Sequence, residues 1–102
     1  MEKTGLAQSE VNKINQVFSK FAEIESVILY GSRAMGNFKP ASDIDLTLIG
    51  DKIDLTLIQT IETELDDLLL PYKIDLSNFN KITNPDLISH INRVGKEFYI
   101  RK

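Results

Sequence analysis

The sequence predicts an α+β fold, a small mixed β-sheet of three to four strands with helices packed on one face. Short apolar runs rich in β-branched residues alternate with longer segments whose apolar residues recur at helical spacing. A helix separates the second strand from the third, which favours a parallel pairing with a right-handed crossover. Only a compact loop joins the first strand to the second, and this favours an antiparallel pairing.

The first half of the chain begins with a helix predicted over residues 9–22 and capped by Ser9. Its buried stripe consists of Val11, Ile14, Val17, Phe18 and Phe21. Residues 26–30 are too short and too rich in β-branched and aromatic side chains for a helix, so a strand is predicted there. Residues 31–36 can form a short helical turn, and a second strand is predicted over 43–49.

The second half begins with a helix predicted over residues 54–70, capped by Asp54 and followed by Pro71. A third strand is predicted over 73–77. The segment 84–86 reads Asn-Pro-Asp, which is typical of a helix start because it offers a capping side chain, a first-position proline and an acid in the first turn. Gly95 is expected to end that helix, with a short strand after it at 97–100.

Length and composition indicate one domain over residues 1–102. The chain has no cysteine, which excludes disulfides and thiolate metal sites and fits a reducing cytoplasm. No apolar run has the length of a membrane span, so no membrane partner is expected. The net charge of −3 argues against a broad nucleic-acid interface.

Two acids stand one residue apart at the start of the second predicted strand. Because side chains alternate across a strand, Asp43 and Asp45 project from one face, roughly 6.6 Å apart along the backbone. On the third strand Asp75 lies on the face opposite Ile74 and Leu76. Three carboxylates on neighbouring strands can hold two hard divalent cations such as Mg²⁺, and Asp75 can also accept the proton of an attacking hydroxyl.

The turn between the first two strands has the features of a phosphate site. Gly31 lets the backbone approach a ligand, and exposed N–H groups with the Ser32 hydroxyl can bind anionic oxygens. Arg33 and Lys39 are candidate phosphate partners from the same loop.

Together, Gly31-Ser32-Arg33-Ala34-Met35-Gly36, Ser42-Asp43-Ile44-Asp45-Leu46 and Ile74-Asp75-Leu76 closely resemble the motifs of the minimal nucleotidyltransferases. These are the smallest members of the DNA polymerase β-like superfamily, and the resemblance covers nearly the whole chain in element order. Many relatives carry a second basic residue where this chain has Met35, so one phosphate or partner contact of the family is missing here.

The resemblance implies the polymerase β-like nucleotidyltransferase fold and Mg²⁺-dependent transfer of a nucleoside monophosphate, expected to be AMP from ATP, to a hydroxyl acceptor. It implies that Gly31 and Ser32 contact the triphosphate and that Asp43, Asp45 and Asp75 form the metal site. Minimal members are often encoded beside a small helical HEPN-type toxin. There they act as antitoxin and can adenylylate a toxin tyrosine, so a partner of that kind is expected.

Each of these interpretations has a plainer alternative. The acids at 43, 45 and 75 could be solvated strand residues, Arg33 and Lys39 ordinary loop charges, and Ser32 a simple helix cap. His90, the only histidine, is expected to be structural or on the surface. For the whole chain, the alternative to catalysis is a nucleotide-binding antitoxin or regulatory subunit that acts by complex formation alone. Modification of a small molecule is a weaker option, because relatives with that activity carry an extra domain.

Overall fold

The computed structural model describes residues 2–102, so only Met1 of the domain predicted over 1–102 lies outside the described part. Four strands form one mixed sheet in the order β3-β2-β1-β4. The strands are β1 (Ser26–Tyr30), β2 (Ile44–Ile49), β3 (Ile74–Asn78) and β4 (Lys96–Ile100), and the α-helices are α1 (Gln8–Ser19), α2 (Ser32–Met35), α3 (Leu55–Asp66) and α4 (Pro85–Val94). Across residues 2–102, none of the helices combines the length and the apolar character that a membrane crossing requires.

Strand pairing follows the connections as the sequence predicts. β1 pairs with β2 and with β4 in antiparallel fashion, and β2 pairs with β3 in parallel. The terminal strand expected at 97–100 is present as β4 and forms the sheet edge beyond β1. The predicted α+β fold with a mixed four-stranded sheet is therefore confirmed.

The hydrophobic core lies on the sheet face that α1 and α3 cover. It contains fully buried side chains from both helices and from the two central strands, among them Ile14, Phe18, Leu29, Leu46, Leu48 and Ile61. The opposite face carries the polar residues of β2 and β3. Helix α4 packs beside β1 on that second face, where His90 contacts the Tyr30 ring. The prediction that the helices pack on one face is therefore wrong for α4, which covers part of the polar face.

Two helices differ at their ends from the prediction. Ser9 is not the cap of α1: the helix begins one residue before it, at Gln8, because the Glu10 carboxylate accepts the Ala7 N–H and fixes Ala7 as the N-cap. Helix α3 is capped by Asp54 as predicted, through its bond from the Leu57 N–H, but it ends at Asp66 instead of residue 70. Its final turn tightens into i→i−3 hydrogen bonds. Leu69 then has a φ of 55°, which is incompatible with a right-handed helix, so the helix ends before it.

Candidate functional site

The polar face of the sheet has a row of three facing side chains. The register of β1 against β2 places Tyr30 opposite Asp45, and that of β2 against β3 places Asp45 opposite Asp75. Residues paired across neighbouring strands project from the same face. Asp45 therefore stands between a phenol and a second carboxylate, and the structure brings Asp75 to the Asp-x-Asp pair.

Asp43 lies just before β2, two positions from Asp45, and is exposed, as is Asp75. Burial raises the pKa of Asp45, and the negative charges of Asp75 and Asp43 raise it further, while only the protonated form of His90 would lower it. Burial also raises the pKa of Tyr30; Asp45 and Asp75 add to this effect, and the neighbouring Ser77 hydroxyl counteracts it. All three acids thus belong to one electrostatic cluster, in which Asp45 is the central and least exposed member.

The donor set of this cluster suits a hard cation. Carboxylate oxygens are the ligands that Mg²⁺ takes in proteins, and a cation would relieve the mutual repulsion that raises the pKa of Asp45. Within residues 2–102, however, no group of three or more Asp, Glu, His or Cys side chains has the geometry of a preformed metal site. The three carboxylates share one face of the sheet without converging on a single point.

The turn over residues 31–36, which the sequence predicts to bind phosphate and which is called here the phosphate-type turn, lies directly beside Asp45. Gly31 occupies the N-cap of α2 with φ 76° and ψ −158°, a conformation that favours glycine, and a Cβ there would overlap Asp45 Oδ2. Ser32, half-buried, is the first residue of α2 and not its cap, so the capping alternative for Ser32 is wrong. Gly31 therefore brings the start of α2 into contact with the central carboxylate.

Arg33 follows Ser32 but its guanidinium is only 1% exposed. Nε and Nη2 donate to the Ser42 carbonyl at 3.1 and 2.9 Å, Nη2 also to the Pro40 carbonyl at 3.1 Å, and Nη1 to the Thr4 carbonyl at 2.9 Å. The alternative of a solvated loop charge is therefore wrong for Arg33. Each of its three nitrogens donates to a backbone carbonyl, which favours a structural part over a contact with nucleotide.

Two aromatic rings complete the surroundings of that guanidinium. Its Cζ lies 5.0 Å from the centre of the Phe38 ring and 4.8 Å from that of Tyr72. Such stacking stabilises a weakly hydrated cation away from water. Since Ser42 directly precedes Asp43, Arg33 ties the start of the Asp-x-Asp segment to α2. Lys39, in contrast, is exposed, as the solvated-charge interpretation expects.

His90 contacts the site in a way that its sequence position did not reveal. Its Nε2 accepts the Gly31 N–H at 3.0 Å, and its ring meets the Tyr30 ring edge-on, with centroids 6.2 Å apart. An accepting Nε2 places the imidazole proton on Nδ1. A lone histidine beside an apolar stripe gives no hint of a partner 59 residues away, so only the tertiary structure identifies this contact.

Comparison with known proteins gives a consistent result. The model of the family described as "Polymerase beta, Nucleotidyltransferase" matches residues 12–102. A relative from Methanocaldococcus jannaschii, provisionally named a protein adenylyltransferase, is 30% identical over 94 residues, which cover 84% of this chain and 90% of the relative.

Solved structures share the fold at lower identity. A crystal structure of a toxin–antitoxin with AMP-PNP gives a TM-score of 0.72 at 21% identity, covering 90% of this chain and 74% of that one. A structure of a tri-AMPylated Shewanella oneidensis HEPN toxin with its MNT antitoxin gives 0.67 at 20% identity, covering 92% and 72%. A structure from Sulfolobus solfataricus, provisionally named a nucleotidyltransferase, gives 0.60 at 18% identity, covering 98% and 86%.

Proposed function

This chain belongs to the polymerase beta nucleotidyltransferase family, and from that premise we propose that residues 1–102 form one domain that transfers AMP from ATP to a tyrosine hydroxyl of a HEPN-type toxin, and so acts as its antitoxin. The general activity, nucleotidyl transfer, follows from the family. The observation that supports the site is the register that pairs Asp45 with Asp75 on one face, beside the Gly31 turn.

The nucleotide and the acceptor are inferred from relatives. The Methanocaldococcus jannaschii relative is named for adenylyl transfer to protein, and one structural neighbour contains an AMPylated HEPN toxin with its MNT antitoxin. Another neighbour contains AMP-PNP, an ATP analogue. In this chain Asp43 and Asp75 are exposed, so the side chain of a second protein can reach the carboxylate cluster. These features support ATP as the donor and a protein hydroxyl as the acceptor.

Each residue of the site has a definable part in the proposed reaction. Asp43, Asp45 and Asp75 would hold Mg²⁺, which when bound neutralises phosphate charge. The acceptor oxygen forms a bond to the α-phosphorus as the bond to pyrophosphate breaks, and the exposed Asp75 carboxylate takes the acceptor proton. Ser32 offers a hydroxyl to the phosphate tail, and Gly31 permits its close approach.

Arg33 has an indirect part in this proposal. Its hydrogen bonds to the Ser42 carbonyl, at 2.9 and 3.1 Å, hold the residue that directly precedes Asp43. We therefore assign Arg33 to positioning of the Asp-x-Asp segment, and we assign the phosphate contact to the Ser32 hydroxyl, with Gly31 permitting the close approach of the phosphates.

A transfer assay tests the proposal. The protein is incubated with Mg²⁺, ATP labelled at the α-phosphate and a candidate HEPN-type partner, alongside Asp45→Asn and the control Asp67→Asn, whose exposed acid lies at the end of α3. We expect label on the partner with wild type and with the Asp67 variant, and none with Asp45→Asn. Loss of label when the modified partner tyrosine is replaced by phenylalanine would identify the acceptor.

Measuring toxin activity and complex formation with the same proteins separates catalysis from action by binding alone. If Asp45→Asn still neutralises the toxin as well as wild type while forming the same complex, the chain acts by occlusion and the catalytic proposal is wrong. If Asp45→Asn forms the complex but leaves the toxin active, neutralisation depends on transfer.

A further inference from the structure

The contact between Gly31 and His90 links the phosphate-type turn to a distant part of the chain. The Gly31 N–H donates to His90 Nε2 at 3.0 Å across 59 positions of sequence. Gly31 stands where β1 ends and α2 begins, and His90 lies within α4. One hydrogen bond therefore joins the turn to the helix that walls the polar face.

Gly31 is confined on two sides. On one side Asp45 Oδ2 occupies the space where a Cβ would stand, and on the other His90 accepts the backbone N–H. The conformation between them, φ 76° with ψ −158°, is costly for residues other than glycine, and glycine itself has many alternatives open to it. Because glycine is flexible, contacts such as those with Asp45 and His90 are needed to hold the Gly31 backbone in this one conformation.

We infer that His90 is a positioning residue for the phosphate-binding turn, acting through the Gly31 amide. This inference rests on the proposed function, since it assumes that the turn binds the triphosphate. By holding the Gly31 N–H towards α4, His90 fixes the plane of the Tyr30–Gly31 peptide, one residue before Ser32. It thereby sets where the Ser32 hydroxyl stands relative to Asp45, at the junction of the phosphate and carboxylate parts of the site.

The competing explanation is that His90 serves only as packing. Its ring meets the Tyr30 ring edge-on at 6.2 Å, and His90 is half-buried, so an apolar ring could fill the same space. The two explanations predict opposite orders of Gly31 amide protection and of nucleotide affinity for two variants. His90→Gln keeps an acceptor near the position of Nε2 but loses the ring, whereas His90→Phe keeps a ring and loses the acceptor.

The experiment measures amide hydrogen exchange at Gly31 by NMR and affinity for AMP-PNP with Mg²⁺ by calorimetry. The variants are His90→Gln, His90→Phe and the control Asn92→Ala, an exposed residue of the same helix. We expect the Gly31 amide to stay protected in the Gln variant and the control and to exchange faster in the Phe variant. We expect AMP-PNP affinity to fall about five- to tenfold in the Phe variant, the effect of one lost hydrogen bond, and to stay within about twofold in the Gln variant.

The results distinguish this inference from the proposed function. If wild type does not bind the analogue, the proposed function fails. If wild type binds it and the Phe variant binds equally well, with the Gly31 amide still protected, this inference alone fails. If the Phe variant does not fold, His90→Leu replaces it as the variant without an acceptor, and the same order relative to Gln is expected.

Discussion

Asp45 and Asp75 occupy directly paired positions of two parallel strands, and their carboxylates project from the same face of the sheet. The burial of Asp45 and the negative charge of Asp75 both raise the pKa of Asp45. Folding therefore brings like charges together at one place, at a cost to stability, and that place adjoins a turn suited to phosphate. The proposed cation-dependent site for an anionic substrate would account for both features.

Replacing Asp45 by asparagine should separate activity from stability. Transfer should fall at least about a hundredfold, because a charge that would hold the cation is removed. The metal-free protein should at the same time gain up to about 1 kcal/mol of unfolding free energy, since repulsion from Asp75 and Asp43 is relieved. Urea unfolding in EDTA, beside the transfer assay, measures both. Marked destabilisation by the substitution would contradict the assignment.

The pH dependence of that stability difference has a definite sign. Because folding raises the pKa of Asp45 above 3.8, the folded state binds the proton more tightly than the unfolded state. The destabilising contribution of Asp45 is thus fully present above its folded-state pKa and is lost as pH falls towards 3.8. The stability gap between metal-free wild type and Asp45→Asn should therefore narrow on acidification, as measured by unfolding at a series of pH values. A gap that widens would be inconsistent with a raised pKa.

Arg33→Lys should act on stability first. The single ammonium nitrogen of lysine cannot occupy the three nitrogen positions of the guanidinium, so the Ser42, Pro40 and Thr4 carbonyls cannot all keep this donor, and the substitution should cost about 1–3 kcal/mol. Lys39→Ala, at an exposed position of the same loop, should change stability by less than about 0.5 kcal/mol. Thermal unfolding compares the two. A weaker affinity for nucleotide without loss of stability in Arg33→Lys would instead make Arg33 a direct phosphate ligand.

Two glycines of the same turn provide a matched comparison. Gly31 and Gly36 both have positive φ, 76° and 84°, so alanine is strained at either position. The strain is roughly 1–2 kcal/mol at Gly36, which is in the left-handed helical region, and up to about 3 kcal/mol at Gly31, whose ψ of −158° is accessible almost only to glycine. At Gly36 the new Cβ meets nothing within 4 Å, whereas at Gly31 it overlaps Asp45 Oδ2. Gly31→Ala should therefore be the more destabilising variant and should also reduce transfer, while Gly36→Ala should retain it. Equal effects of the two substitutions on transfer would contradict the close approach of the turn to Asp45.

Local patterns predicted the elements that carry the acids. The alternation of Ile74 and Leu76 with Asp75 fixed the face of β3, and a helical connection indicated its parallel pairing with β2. With these two inferences the three carboxylates could be placed on one face before any coordinates. The end of α3 could not be found in this way, because Leu68–Leu70 continue the apolar pattern although Leu69 leaves the helix with a side chain that is 88% exposed.

The structural parts of Arg33 and His90 depend on contacts between distant segments, which the sequence pattern does not predict. In the sequence Arg33 looks like an ordinary charged loop residue. Its burial depends on backbone carbonyls and aromatic rings that several separate segments contribute. His90 likewise obtains its role from the packing of α4 beside β1. Neither partner set leaves a periodic signal in the sequence, so the burial of Arg33 and the contact of His90 with Gly31 were not predicted, whereas the alternation along β2 and β3 placed the three acids on one face.

In the proposed reaction Asp43, Asp45 and Asp75 act together to hold a cation beside the turn at Gly31. A crystal structure with Mn²⁺ and AMP-PNP, analysed by anomalous scattering, would locate the cation and the nucleotide together. We expect manganese density in contact with all three carboxylates and a phosphate tail at Gly31 and Ser32. Manganese bound without Asp75, or a nucleotide whose phosphates lie away from that turn, would contradict it.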